Sequence, residues 1–221
     1  AKAAKDPKEI ASIEQLFLTG QHLEQYRHAT YNPLDYYNEA LQREPDDTRC
    51  NNAIGLLLLR RGQFAKSEPY FRTAIKTLTE RNPNPYDGEA YYNLGISLKF
   101  QGRLDDAYSS LFKATWNAAS QGSAYFSLAQ IDAIQQNWDV ALENIDHALV
   151  KNWHNHKARQ LKTSILRKLS RTDEALQWIS DSLVLDKFNI GCLVEKYLIT
   201  HDTSDLHAFQ RLLSQSIHTY I

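Results

Sequence analysis

Tyr91-Tyr-Asn-Leu94-Gly95-Ile-Ser-Leu98-Lys-Phe-Gln-Gly102-Arg-Leu104-Asp-Asp-Ala107-Tyr-Ser-Ser-Leu111-Phe-Lys-Ala114 is the stretch on which the fold turns. Apolar and small residues recur three or four apart on both sides of Gly102, which is the pattern of two amphipathic helices joined by a short turn. Gly102 stands where a helix C-cap needs the left-handed conformation, as does Gly62 in Arg61-Gly62-Gln63. Gly95 and Ala107 are small where the helices must approach closely, and Leu94, Leu98 and Leu111 fill the space around them.

The same offsets recur upstream as Asn51, Ile54, Gly55, Leu58, Gly62, Phe64, Ser67, Phe71 and Ala74, and downstream as Tyr125, Leu128, Ala129, Trp138, Ala141, Ile145 and Ala148. The small residues of the second helices, Ser67, Ala107, Ala141 and Ala175, lie 40, 34 and 34 residues apart. The longer first interval is explained by Arg81-Asn-Pro-Asn-Pro-Tyr-Asp-Gly88, a cluster that cannot continue a helix and so reads as a loop insertion. A fourth copy keeps Leu166, Ala175, Leu176 and Ile179 but sets Arg159 and Lys162 in slots that are otherwise apolar, so its first helix is expected to slip or open. Pro33, Tyr37, Ala40 and Pro45 mark the second helix of an earlier copy, with a first helix expected over about residues 10–28. Helix-like stretches over 190–200 and 206–220 read as a degenerate or capping pair, since terminal repeats meet solvent on one face.

Over roughly residues 10–190 this pattern resembles the tetratricopeptide repeat (TPR) family, whose unit is 34 residues long. The resemblance implies an all-α fold, a TPR-type α-α superhelix or solenoid of about ten to twelve antiparallel helices. It would form one array over 1–221, with units near 10–46, 48–81, 88–121, 122–155, 156–189 and 190–221. Tyr31-Asn-Pro-Leu-Asp-Tyr-Tyr37, the 81–88 loop and Asn152-Trp-His-Asn-His-Lys-Ala-Arg159 are also similar to the helical repeat region of large bacterial proteins that carry an uncharacterised domain, a resemblance that implies no activity.

Composition narrows the function classes. A formal charge of -1 gives no global field toward nucleic acid or an anionic membrane. The longest apolar run, 54–59, ends at Arg60 and Arg61, far short of the ~20 residues a bilayer span needs. Cys50 and Cys192 are too few for a disulfide framework, which fits a reducing, cytoplasmic location. Residues 1–9 lack the apolar stretch of a secretory signal, and without an initiator Met the chain reads as a piece of a longer protein.

In tetratricopeptide arrays first helices line the concave face, and the resemblance places five positions of each there. These are Arg49, Asn52, Leu56, Leu59 and Arg60, then Glu89, Tyr92, Ile96, Lys99 and Phe100, then Ser123, Phe126, Gln130, Ala133 and Ile134. The fourth unit offers Lys157, Gln160, Ser164, Arg167 and Lys168. Arg49, Asn52, Arg60, Tyr92, Lys99, Phe100, Phe126 and Gln130 are the expected partner-binding set, a mixed lining suited to a protein or peptide. The carboxylate clamp of chaperone-tail binders is missing: Asn93 fills its middle slot, but Asn52, Leu56, Ser123 and Ser127 stand in the others.

Residues 151–171 hold Lys151, Lys157, Arg159, Lys162, Arg167, Lys168 and Arg171 with no acidic residue, a segment able to receive an anion or to form a solvated helix face. Trp153, His154, His156, Lys157, Arg159, Arg167 and Lys168 form the candidate ligand patch. His154 and His156 have no HExxH, cysteine partner or carboxylate at ligand spacing, so no metal and no cofactor is expected. Asp46/Asp47 and Asp105/Asp106 read as helix caps. No GxxxxGK[ST], GxGxxG or GxSxG occurs, and no enzyme activity is expected. The expectation is therefore a protein-interaction scaffold, set against an intramolecular platform for another domain of a longer protein, and a small-molecule or sugar binder built on Trp153, His154, His156 and Arg159.

Overall fold

The computed structural model describes residues 4–26 and 30–215. Among these, twelve α-helices follow a 3-10 turn at Pro7–Glu9, and no strand is present. The chain divides into two compact units, 1–119 and 120–221. No helix of the described residues is long and apolar enough to cross a membrane.

The first unit contains α1 (Ile13–Gln25), α2 (Pro33–Arg43), α3 (Thr48–Arg60), α4 (Phe64–Thr79), α5 (Glu89–Phe100) and α6 (Leu104–Ala114). Each helix packs on the next, and α1 touches α3 as α3 touches α5, so the first helices of successive pairs form one face. Each pair closes on a glycine. A Cβ on Gly20 would stand 2.5 Å from the Tyr37 ring, one on Gly55 2.6 Å from the Phe71 ring, and one on Gly95 2.6 Å from Leu111. Glycine permits that approach without displacing the facing side chain, and Tyr37, Phe71 and Leu111 are buried against it.

Helix ends follow the local sequence. The Asp47 carboxylate accepts from the Cys50 N–H, Ser12 from Gln15 and Asn32 from Leu34, each meeting a donor that the helix leaves unpaired. Asp105 and Asp106 lie in the first turn of α6 as expected. Gly62 and Gly102 take left-handed φ values of 71° and 77° at the turns. The loop insertion stands between α4 and α5, where Lys113 donates to Asn84 and Asn117 to the Tyr86 carbonyl.

The second unit contains α8 (Trp138–Lys151), α9 (His156–Lys168), α10 (Thr172–Leu185), α11 (Ile190–Thr200) and α12 (Thr203–Gln215), with α7 (Ala118–Ile134) starting at the boundary. Ala129, Ala141, Ile145, Ala148, Ala158 and Ile165 form its core. The expected opening of the fourth unit is not found: α9 is continuous, capped by Asn155, whose side chain accepts from the Ala158 N–H. Arg159 is 0% exposed. Its guanidinium lies 4.6 Å from the Trp153 ring centroid and 4.3 Å from that of Trp178, and Nε donates to Ser182 at 3.0 Å. Two indole faces and a hydroxyl receive the charge, so the slot keeps its helix with a cation inside.

The expected terminal helices correspond to α1, α11 and α12; α12 starts before residue 206, while residues 27, 28 and 216–220 of the expected spans lie outside the described residues.

Candidate functional site

The first unit has a cleft of about 700 Å³ on the face shared by its first helices. From α1 come Phe17, Gln21, Glu24 and Gln25; from α3, Thr48, Arg49, Asn52, Ala53, Leu56 and Arg60; from the loop before α5, Asp87, and from the start of α5, Glu89 and Ala90; Tyr37 and Leu78 complete it. Residues four apart on a helix share a face, which is why Gln21 with Gln25, and Asn52 with Leu56 and Arg60, point the same way.

Arg49 pairs with Glu14 and Arg60 with Glu24, so each guanidinium ties α3 to α1. Arg49 also lies 4.9 Å over the Phe17 ring, and its hydrogen bond to Glu14 raises its pKa further. Tyr37 donates its hydroxyl to Glu24 at 3.3 Å, and burial, then the nearby Glu24 charge, push the phenol pKa well above its usual range. Asn93, buried on α5, donates to the Asn52 carboxamide oxygen at 3.1 Å, which fixes Asn52 with its own amide free to donate. The side chains of Gln21 and Gln25 find no hydrogen-bond partner among the described residues.

Of the expected groove residues, Arg49, Asn52 and Arg60 line this cleft, with Leu56 and Glu89 beside them. Tyr92 and Lys99 are half-buried on α5 outside the lining, and burial lowers the Lys99 pKa. Phe100 is exposed but stacks on Phe64 with centroids 4.8 Å apart. Phe126 and Gln130 belong to α7, and Phe126 packs against the core of the second unit. The contribution of α1 was missed by sequence reasoning. Its signal was Gly20, which stands 35 residues before Gly55 and puts Phe17, Gln21, Glu24 and Gln25 in the register of Asn52, Leu56, Leu59 and Arg60.

In the basic segment the structure supplies carboxylates that the local sequence lacks. Lys162 pairs with Asp146, Arg167 with Glu195 and Arg171 with Glu174, each at 2.6 Å. Lys151, Lys157 and Lys168 are exposed, and Lys168 lies 6.0 Å from the Trp138 ring. Arg159, expected in an accessible patch, is instead interior, and burial lowers its pKa. Trp153 and His154 are exposed in the turn before α9. His156 opens α9 with Nδ1 3.9 Å from Asp186 and without a hydrogen bond. No group of three His, Cys, Asp or Glu comes together at metal-holding spacing among the described residues. Burial raises the pKa of both thiols, Cys50 and Cys192, which disfavours the nucleophilic thiolate.

The tetratricopeptide repeat model matches residues 34–83 and 52–124, so this stretch is built of such repeats. Among solved structures, PilF of Pseudomonas aeruginosa superposes with a TM-score of 0.74 at 15% identity, covering 98% of this chain and 97% of that one. YrrB, a tetratricopeptide repeat protein with an unusual peptide-binding site, gives 0.65 at 15% identity, over 84% of this chain and 93% of its own. MamA of Desulfovibrio magneticus RS-1 gives 0.67 at 17% identity, with 84% and 98% covered. These likenesses establish the tetratricopeptide-type helical solenoid fold.

Proposed function

We propose that the chain is a protein-interaction scaffold and that the first-unit cleft holds an extended segment of its partner. The carboxamides of Gln21, Gln25 and Asn52 carry this reading, because they present unused donors and acceptors beside the apolar surfaces of Phe17 and Leu56. An extended backbone needs that pairing, and a primary amide can donate and accept at once. Similarity of fold to a protein with a peptide-binding site supports it. The same surface serves a segment from a separate protein or from another domain of one longer polypeptide. We assign the cleft no catalytic step.

Panning a displayed library of random peptides against the full chain tests this. Gln21→Ala with Gln25→Ala should weaken the selected binders about tenfold, two hydrogen bonds being worth roughly 1–3 kcal/mol together. Both side chains are exposed, so the melting temperature should not move. Unchanged affinity would place the site elsewhere.

A further inference from the structure

We infer that the segment bound in the first-unit cleft carries a lysine or arginine side chain seated against Asp87 and Glu89; this rests on the peptide-binding role proposed for the same cleft. Both guanidiniums of the lining, Arg49 and Arg60, are already paired with carboxylates of α1. An acidic side chain entering the cleft would meet guanidiniums whose charge Glu14 and Glu24 already balance, and would add to the negative charge of the cleft. At the other wall Asp87 and Glu89 are exposed and pair with no cation among the described residues. Asp87 spends one oxygen on the turn that leads into α5, accepting from the Glu89 N–H at 2.9 Å, and its second oxygen is left for a ligand.

The unpaired charge of the cleft is therefore negative and confined to the start of α5. The amide dipoles of that helix end offset part of it, and the rest is complementary to one cationic side chain. A flexible ammonium or guanidinium stem reaches both carboxylates while the backbone of the segment stays against Gln21, Gln25 and Asn52.

The random-peptide selection reads this directly. Peptides that depend on Gln21 and Gln25 should be enriched in Lys or Arg, and replacing that residue by norleucine should weaken binding about fivefold near 0.15 M salt and less at 1 M. Asp87→Asn with Glu89→Gln keeps the acceptor for the Glu89 N–H and should produce the same loss, whereas Glu143→Gln on α8 should produce none. Binders that depend on Gln21 and Gln25 but show no charge preference, or prefer acidic residues, would overturn this inference and leave the peptide-binding role standing. A selection that returns no cleft-dependent binder overturns both.

Discussion

The helix pair α5/α6 and the pair α9/α10 solve the same packing problem with opposite chemistry. In α5/α6 the helices close by omission: Gly95 has no side chain, Leu111 fills its place, and Ala107 and Ala114 are fully buried. In α9/α10 the slot used by Tyr91 in the regular pair holds Arg159, and Thr163 replaces the glycine. That pair closes by addition, a guanidinium lying against two indoles that themselves meet edge-on, with the Trp178 N–H donating to the Arg159 carbonyl and the Thr163 hydroxyl to the same oxygen. The repeat thus tolerates a buried charge where neighbouring rings can receive it, and the signature is a record of one packing solution among several.

Arg159→Ala is expected to have the largest effect. It empties the space against the Trp153 and Trp178 rings and should destabilise the second unit by ~3–4 kcal/mol, the cost of a large side chain removed from a core. Arg159→Met should recover most of that loss, because one guanidinium nitrogen, Nη2, is buried without a partner and an apolar side chain does not carry that penalty. Equal losses for Ala and Met in urea titration would show that the charge, rather than the filled volume, holds the pair together. Gly95→Ala comes next, at about 1–3 kcal/mol, since its Cβ meets Leu111 and the Leu111 backbone N at 3.2 Å blocks an easy retreat. Gly95→Ala paired with Leu111→Ala should lose less than the sum of the two single changes, and additivity would break the close-approach explanation.

Most of the fold was legible because close approach leaves a mark in composition: a small residue facing a large one, repeated at the unit length. The site was legible only in part. Arg49, Asn52 and Arg60 were placed by repeat register, but the partners that neutralise the two arginines, Glu14 and Glu24, lie 35 and 36 residues upstream on another helix. What an aromatic at a groove position packs against also depends on distant chain, as Phe100 on Phe64 and Phe126 on the second core show. The basic segment misled for the same reason, since Asp146, Glu174 and Glu195 lie outside it in sequence and against it in space.

A smaller contrast concerns the turns between paired helices. Gly62, Gly102, Gln136 and Ser170 occupy corresponding positions, and all four are left-handed, the last two at φ 62° and 59°. A side chain there costs about 1–2 kcal/mol of backbone strain, and glycine recovers this at an entropic cost of about 0.4–1 kcal/mol in the unfolded chain. Ser170→Gly should therefore stabilise the second unit by about 0.5 kcal/mol. Gly62→Ala should destabilise the first by a similar amount, although no atom within 4 Å would touch the new methyl group. Opposite signs in matched urea titrations would show that the turn geometry belongs to the repeat and the residue merely obeys it. A loss on Ser170→Gly would mean that its hydroxyl or side chain stabilises the turn in a way that outweighs the strain.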